Sequence, residues 1–145
     1  MNAERIKTKL EQAGMAWASA PLHEGAGDLR REIPRLLATT ADRLTTAEIV
    51  GPLQAARKVS LVGAMPKDRL PVAARNGMLL SVVLSLAVPQ WAGSGVWLRD
   101  MLARLKRLKS VRTTHAGCRV TLTLHPRIGS VALTIEQLVM EVKTA

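Results

Sequence analysis

The chain contains no Phe and no Tyr, and its three Trp are its only large aromatic side chains. A core must then be filled by Leu, Val, Ile, Met and Ala, which pack well when volume and patterning are right. The same absence removes most platforms on which a protein stacks nucleic-acid bases. A single Cys excludes an internal disulfide framework and agrees with a reducing compartment. Acidic residues are scarce, 11 against 21 basic ones, for a formal charge of +10. After residue 56 the only acids are Asp68, Asp100, Glu136 and Glu141. Paired carboxylates for glycoside hydrolysis and carboxylate clusters for a metal are therefore not apparent. Phosphate-loop, dinucleotide-fingerprint and nucleophile-elbow motifs are also missing, so neither a cofactor nor an enzyme is expected.

Hydrophobic residues make up 48% of the 145 positions, too many for a disordered chain. The length fits one domain able to bury a core without metal or disulfide staples. The charge, however, is unevenly placed. Residues 1–56 hold seven basic and seven acidic side chains, and residues 57–145 hold 14 basic and 4 acidic ones. Such asymmetry points to an acidic macromolecular partner, nucleic acid or protein, for the second half.

Residues 1–20 carry Glu4 and Glu11 among basic residues and lack a continuous apolar stretch, so they do not read as a signal peptide. A cytoplasmic location is the expectation. From Asn76 to Leu98 no charge occurs over 23 residues, long enough to span a bilayer. Ser81 and Ser85 interrupt the apolar part, and Pro89, Gly93 and Gly95 break the second half of the run. The run is read as a buried strand, a turn and a helix start, and no transmembrane segment is expected.

The periodicity predicts an α+β fold in one two-layer domain spanning residues 1–145. In the charge-neutral part, 1–56, mainly helical structure is expected. Ile6, Leu10, Ala13 and Trp17 fall on one helical stripe over 3–19. Leu29, Ile33, Leu36, Leu37 and Leu44 form another, with Pro34 suited to a first helical turn. Thr45 and Glu48 match a capping box for a short third helix. Residues 58–65 read as a strand. Asn76-Gly77 between 69–75 and 78–88 reads as a hairpin turn, with Pro71 marking the shorter arm as an edge strand. Ser94 is a candidate N-cap for a basic amphipathic helix near 96–109. Val120, Leu122 and Leu124 alternate in a strand over 118–124, and Val131, Leu133 and Ile135 in another. Residues 134–143 fit either a helix capped by Thr134 or a continued strand, the helix being preferred. The helices are expected on one face of a mostly antiparallel sheet. Core candidates are Leu36, Leu37, Val59, Leu61, Leu80, Val82, Leu84, Leu86, Leu102, Leu105, Val120, Leu122, Leu133 and Ile135.

Three constellations bear on function. The basic run supplies Arg99, Arg104, Lys106, Arg107, Lys109 and Arg112 against the single Asp100. With Arg119 and Arg127 these are the candidate contacts to an anionic partner, each phosphate neutralised adding salt-sensitive affinity. A solvated outer face on a core-packing helix explains the same run. No helix-turn-helix pattern marks sequence-specific readout. His115, Cys118 and His125 offer zinc-ligating atoms, but a structural site takes four ligands and a fourth is missing. The same Cys with a His could serve a nucleophilic enzyme. Finally, Leu122–Leu133 resembles the Leu-x-Leu-x-Pro-x-x-Leu-Gly-x-Val-x-Val strand-turn-strand stretch of flagellar hook-length control proteins, with Ile128 replacing a Leu. The likeness covers this stretch alone, and no function is carried over from it.

The leading expectation is a non-enzymatic binding or adaptor domain whose basic C-terminal half contacts an acidic partner. The alternatives are a protein-interaction or homodimerisation module without a nucleic-acid role, and a Cys/His enzyme.

Overall fold

The structure, a computed structural model, describes residues 1–126 and 128–138. It begins with helix α1 (Glu4–Gln12), followed by strands β1 (Ala16–Ser19), β2 (Leu22–Glu24), β3 (Arg31–Ile33), β4 (Arg35–Thr39), β5 (Thr45–Val50) and β6 (Lys58–Ala64). Helices α2 (Leu70–Ala87) and α3 (Ser94–Leu108) come next. Strands β7 (Ser110–His115), β8 (Cys118–His125) and β9 (Ser130–Gln137) complete the described chain. The main sheet has the order β1-β4-β5-β6-β9-β8-β7, every neighbouring pair antiparallel. A small β2–β3 hairpin stands apart from it.

The three helices lie on one face of the sheet, as the sequence led us to expect. Ile49, Val59, Leu61, Val120, Leu122, Leu133 and Ile135 point into the core from that face. Ile6 and Leu10 of α1, Leu80, Val83 and Leu84 of α2, and Leu98 and Leu105 of α3 meet them. The expected core is largely present. Leu36, Val82, Leu86 and Leu102 are only half-buried, and Leu37 is exposed on the opposite face.

The expectation of a mainly helical 1–56 is overturned, because only α1 is an α-helix there. Gly14, at φ +90°, turns the chain out of the helix, and the Gly14 and Met15 N–H groups close it by bonding the Glu11 and Leu10 carbonyls. Trp17 therefore lies on β1, where its indole N–H donates to the Lys7 carbonyl at 3.3 Å. Of the Leu29–Leu44 stripe, Ile33 falls in β3 and Leu36 and Leu37 in β4, while Leu29 ends a short 3-10 turn and Leu44 sits in the β4–β5 turn. The Thr45/Glu48 capping box becomes β5. Thr45, Ala47 and Ile49 are buried on that strand, while Thr46 and Glu48 face outward. Period two thus wins over the helical reading wherever a neighbouring strand pairs.

The second correction is α2. The Asn76-Gly77 hairpin does not form: one continuous helix runs through it, with Pro71 in its first turn. A strand would place Leu79 and Val83 on the face opposite Leu80 and Leu84. On a sheet covered on one side, only one of those pairs would then be buried. The helix buries all four, each contributing about 1.5–3 kcal/mol when fully removed from water. By length and mean hydropathy, 1.5, α2 also meets the composition of a membrane span. Here it packs against β6, β9, α1 and α3. Ser94 begins α3 but its side chain caps nothing. Residues 134–137 are strand, not helix; the rest of that ambiguous stretch, 139–143, lies outside the described residues.

Asn76 is fully buried over Gly63. Its side-chain N–H donates to the Ala64 carbonyl at 2.8 Å and to the Leu44 carbonyl at 3.3 Å, and its oxygen accepts from the Thr45 hydroxyl. Replacing Asn76 by Ala should cost about 1–3 kcal/mol in urea unfolding, because these buried partners lose a bond. Gly63→Ala should cost about 1–3 kcal/mol as well, since its Cβ would stand 2.9 Å from the Asn76 Cβ. Midpoints unchanged in both variants would show that this tie does not hold α2.

Candidate functional site

The expected anion-contact residues divide between two layers. Arg99, Arg104, Lys106 and Arg107 are exposed on α3, whose Leu98 and Leu105 are spent on the core. Lys109, at φ +67°, is the single residue joining α3 to β7. Lys106, Arg107, Lys109 and Arg112 therefore gather where the chain reverses. Two of them are also placed to offset the helix dipole, an effect of about 0.3–1 kcal/mol each. Arg112 and Arg119 project from the helix-free face of β7 and β8. There Arg119 stands opposite Glu136 of β9 and Thr114 of β7. The basic residues thus wrap the β7 margin of the sheet instead of sharing one face. Arg127 lies outside the described residues.

Among the described residues, every ion-paired cation lies before residue 76. Lys7, Arg31, Arg35, Arg57, Lys58 and Arg75 each sit beside a carboxylate. Among the described residues, no ion pair involves any basic side chain from Arg99 to Arg119.

The best-built pair is Arg75–Asp42. Asp42 closes the β4–β5 turn by accepting from the Leu44 N–H at 3.0 Å, and Arg75 of α2 donates to its other oxygen at 2.8 Å. Hydrogen bonds from Arg75, Thr40 and Leu44 hold this carboxyl well below the usual carboxylate range.

The His/Cys constellation does not assemble. His115 and Cys118 face each other across the two-residue Ala116-Gly117 turn. His125 stands at the far end of β8, about 23 Å away at the usual strand rise. It also lies on the other face of the sheet. Among the described residues, no group of three or more His, Cys, Asp or Glu is arranged for a metal. The Cys118 thiol is buried beside the Gln137 side-chain oxygen at 3.7 Å, and loss of solvent pushes its pKa up. That is the reverse of what activates a nucleophile. His115 stacks on Trp91, with ring centroids 3.9 Å apart and planes 9° apart, and Trp97 tilts against Trp91 at 5.2 Å.

Two features escaped the sequence reading. An open groove of about 500 Å³ lies on the helix-free face, lined by small side chains of β1, β4, β5 and β6, among them Ala16, Ala18, Thr46 and Val62. Its one titratable lining residue, Glu48, is paired with Lys58 at 2.9 Å and with Arg35 at 3.5 Å. It therefore offers a shape without a free acid or base. The other is strand β7 itself. Its alternation of exposed Ser110, Arg112 and Thr114 with half-buried Val111, Thr113 and His115 was present in the sequence, hidden by the basic run. Comparison with protein-family models, curated proteins and solved structures finds no match to this chain.

Two outcomes are expected. Because the Asp42 pKa is lowered on folding, its stabilisation is full above the unfolded value of about 3.9 and declines as pH falls toward the folded value. Asp42→Asn should therefore be less stable than the parent at pH 7, and the gap should narrow below about pH 4 in urea titrations. A gap independent of pH would contradict this. Cys118 should react with a disulfide reagent at pH 8 more slowly than free cysteine, and urea should restore the rate. A reaction as fast in the folded protein would contradict its burial.

Proposed function

We propose that the chain is a non-catalytic binding domain whose basic C-terminal half grips an acidic macromolecule, nucleic acid being one partner of that class. One observation carries this reading. The basic side chains from Arg99 to Arg119 lack carboxylate partners among the described residues, while most of those on β3–β6 and α2 have them. Unpaired like charges around one sheet margin repel one another, and an anionic ligand relieves that repulsion. The ligand needs little reorganisation to bind there, because α3 and β7 are fixed by the core beneath them. Affinity should come from charge and fall steeply with salt.

A titration with mixed-sequence duplex and with polyglutamate at several salt concentrations tests this. If four side chains engage duplex phosphates, affinity should fall about 10²-fold between 50 and 200 mM salt. Combining Arg104→Gln, Lys106→Gln and Arg107→Gln should lower the salt slope by about 3 while leaving the fold intact. No binding at low salt, or salt-independent binding, would sink the reading.

The groove on the helix-free face favours a second reading, a module that docks another protein or a second copy with no nucleic-acid role. Sedimentation at rising concentration separates them, since dimerisation blocked by Val62→Glu and untouched by the α3 substitutions would favour the second.

A further inference from the structure

We infer that the outer edge of β7 takes up an extended acidic segment of a partner protein as an added strand. The inference rests on the proposed acidic partner and names its class. β7 ends the sheet and pairs with β8 alone among the described residues, in unbroken register from Ser110 to His115. The Leu124 N–H bonds the Lys109 carbonyl at 2.8 Å, which sets the phase of the ladder. Bonded pairs alternate in an antiparallel ladder, so Val111, Thr113 and His115 bond toward β8. The N–H and C=O groups of Ser110, Arg112 and Thr114 therefore point outward from the sheet.

Edges of this kind are usually blunted by Pro, a bulge or charge. β7 has neither Pro nor bulge, and its one charge is Arg112 at the centre of the outward set. A second copy pairing the whole outward set, Ser110, Arg112 and Thr114, about a two-fold axis would set Arg112 against Arg112, which is unfavourable. A strand with a carboxylate opposite Arg112 would instead gain a cross-strand ion pair. Lys109, Lys106 and Arg107 extend the same positive margin. On the helix-covered side, the half-buried Val111 and Thr113 suit small apolar residues at the alternate positions. The partner sequence that fits is thus an alternation of Glu or Asp with β-branched residues, the strand-addition mode of recognition.

Two observations favour polypeptide over nucleic acid at this edge. The outward groups include carbonyls as well as amides, and a phosphate backbone supplies no donor for the carbonyls. Base stacking is also poorly served, because His115 covers one face of Trp91 and Trp97 leans on Trp91.

The test uses an end-blocked peptide of four Glu-Val repeats, the same peptide N-methylated at its glutamates, and an oligothymidylate of matched charge. The glutamate nitrogens face the edge when those residues stand opposite Arg112. The unmodified peptide should bind at low salt and slow amide exchange at Ser110, Arg112 and Thr114 about tenfold. N-methylation and Arg112→Glu should each weaken it about tenfold or more. Thr114→Pro, which removes an outward N–H and spares the β8 ladder, should do the same. Equal binding of the methylated peptide, or unchanged exchange, overturns the inference. So does protection of these amides that rises with protein concentration alone, which assigns the edge to a second copy. Salt-dependent binding of the oligonucleotide without the peptide overturns it while leaving the proposed function standing. Binding of no anion removes both.

Discussion

Everything in this fold hangs on how α2 is seated, and one buried carboxamide seats it. α2 is apolar around most of its girth, so burial alone scarcely distinguishes one rotation about its axis from another. Asn76 does distinguish them, because only one rotation meets the Ala64 and Leu44 carbonyls and the Thr45 hydroxyl. Any other leaves a carboxamide and its partners unpaired in the core, a cost of several kcal/mol. Gly63 completes the arrangement, since a side chain there would hold the helix off the sheet. Arg75 and Asp42 continue the tie to the surface of the β4–β5 turn. With α2 fixed, α1 packs on one flank and α3 on the other, and β9 lies beside β6 at the centre of the sheet.

Covering the sheet on one side has consequences for the other. The helix-free face is built from rows that run strand to strand through small and polar residues. One such row is Ala16, Thr39, Thr46, Val62, Ala132, Thr123 and Ser110. Such residues tolerate water without forming a large sticky surface. They also make the face concave enough to hold a groove. At the β1 end the charges that border this face are paired and quiet. At the β7 end they have no carboxylate partner among the described residues, and there the positive field, the outer edge of the sheet and the end of α3 coincide. The proposed binding role rests on that coincidence.

Parts of this architecture were legible from local pattern. β6, β8 and the start of β9 alternate cleanly because one of their faces is buried. The amphipathic stripe of α3 stood out because its polar side is charged. The N-terminal half misled because Leu36, Leu37 and their neighbours satisfy helical spacing and strand alternation alike. Pairing with β5 settled the ambiguity, and pairing partners distant in sequence leave no local mark. Asn76-Gly77 misled for a related reason. The same dipeptide that suits a tight turn becomes a core anchor when carbonyls from other elements surround it. Of the site, the basic residues were visible one by one. Their wrapping of an edge was not, because the basic run hides the exposed/half-buried alternation that makes β7 a strand.

By itself, then, the sequence determined class, composition of the core and the imbalance of charge, since these depend on side-chain chemistry and short-range period. It determined that helices and an antiparallel sheet would share one core with no aromatic filling beyond Trp. Only the tertiary structure decided which apolar segments pair as strands, which rotation α2 adopts and which basic residues meet a carboxylate. Those outcomes rest on hydrogen bonds and charge contacts between residues far apart in the chain, whose partners exist only once the sheet has closed around its core.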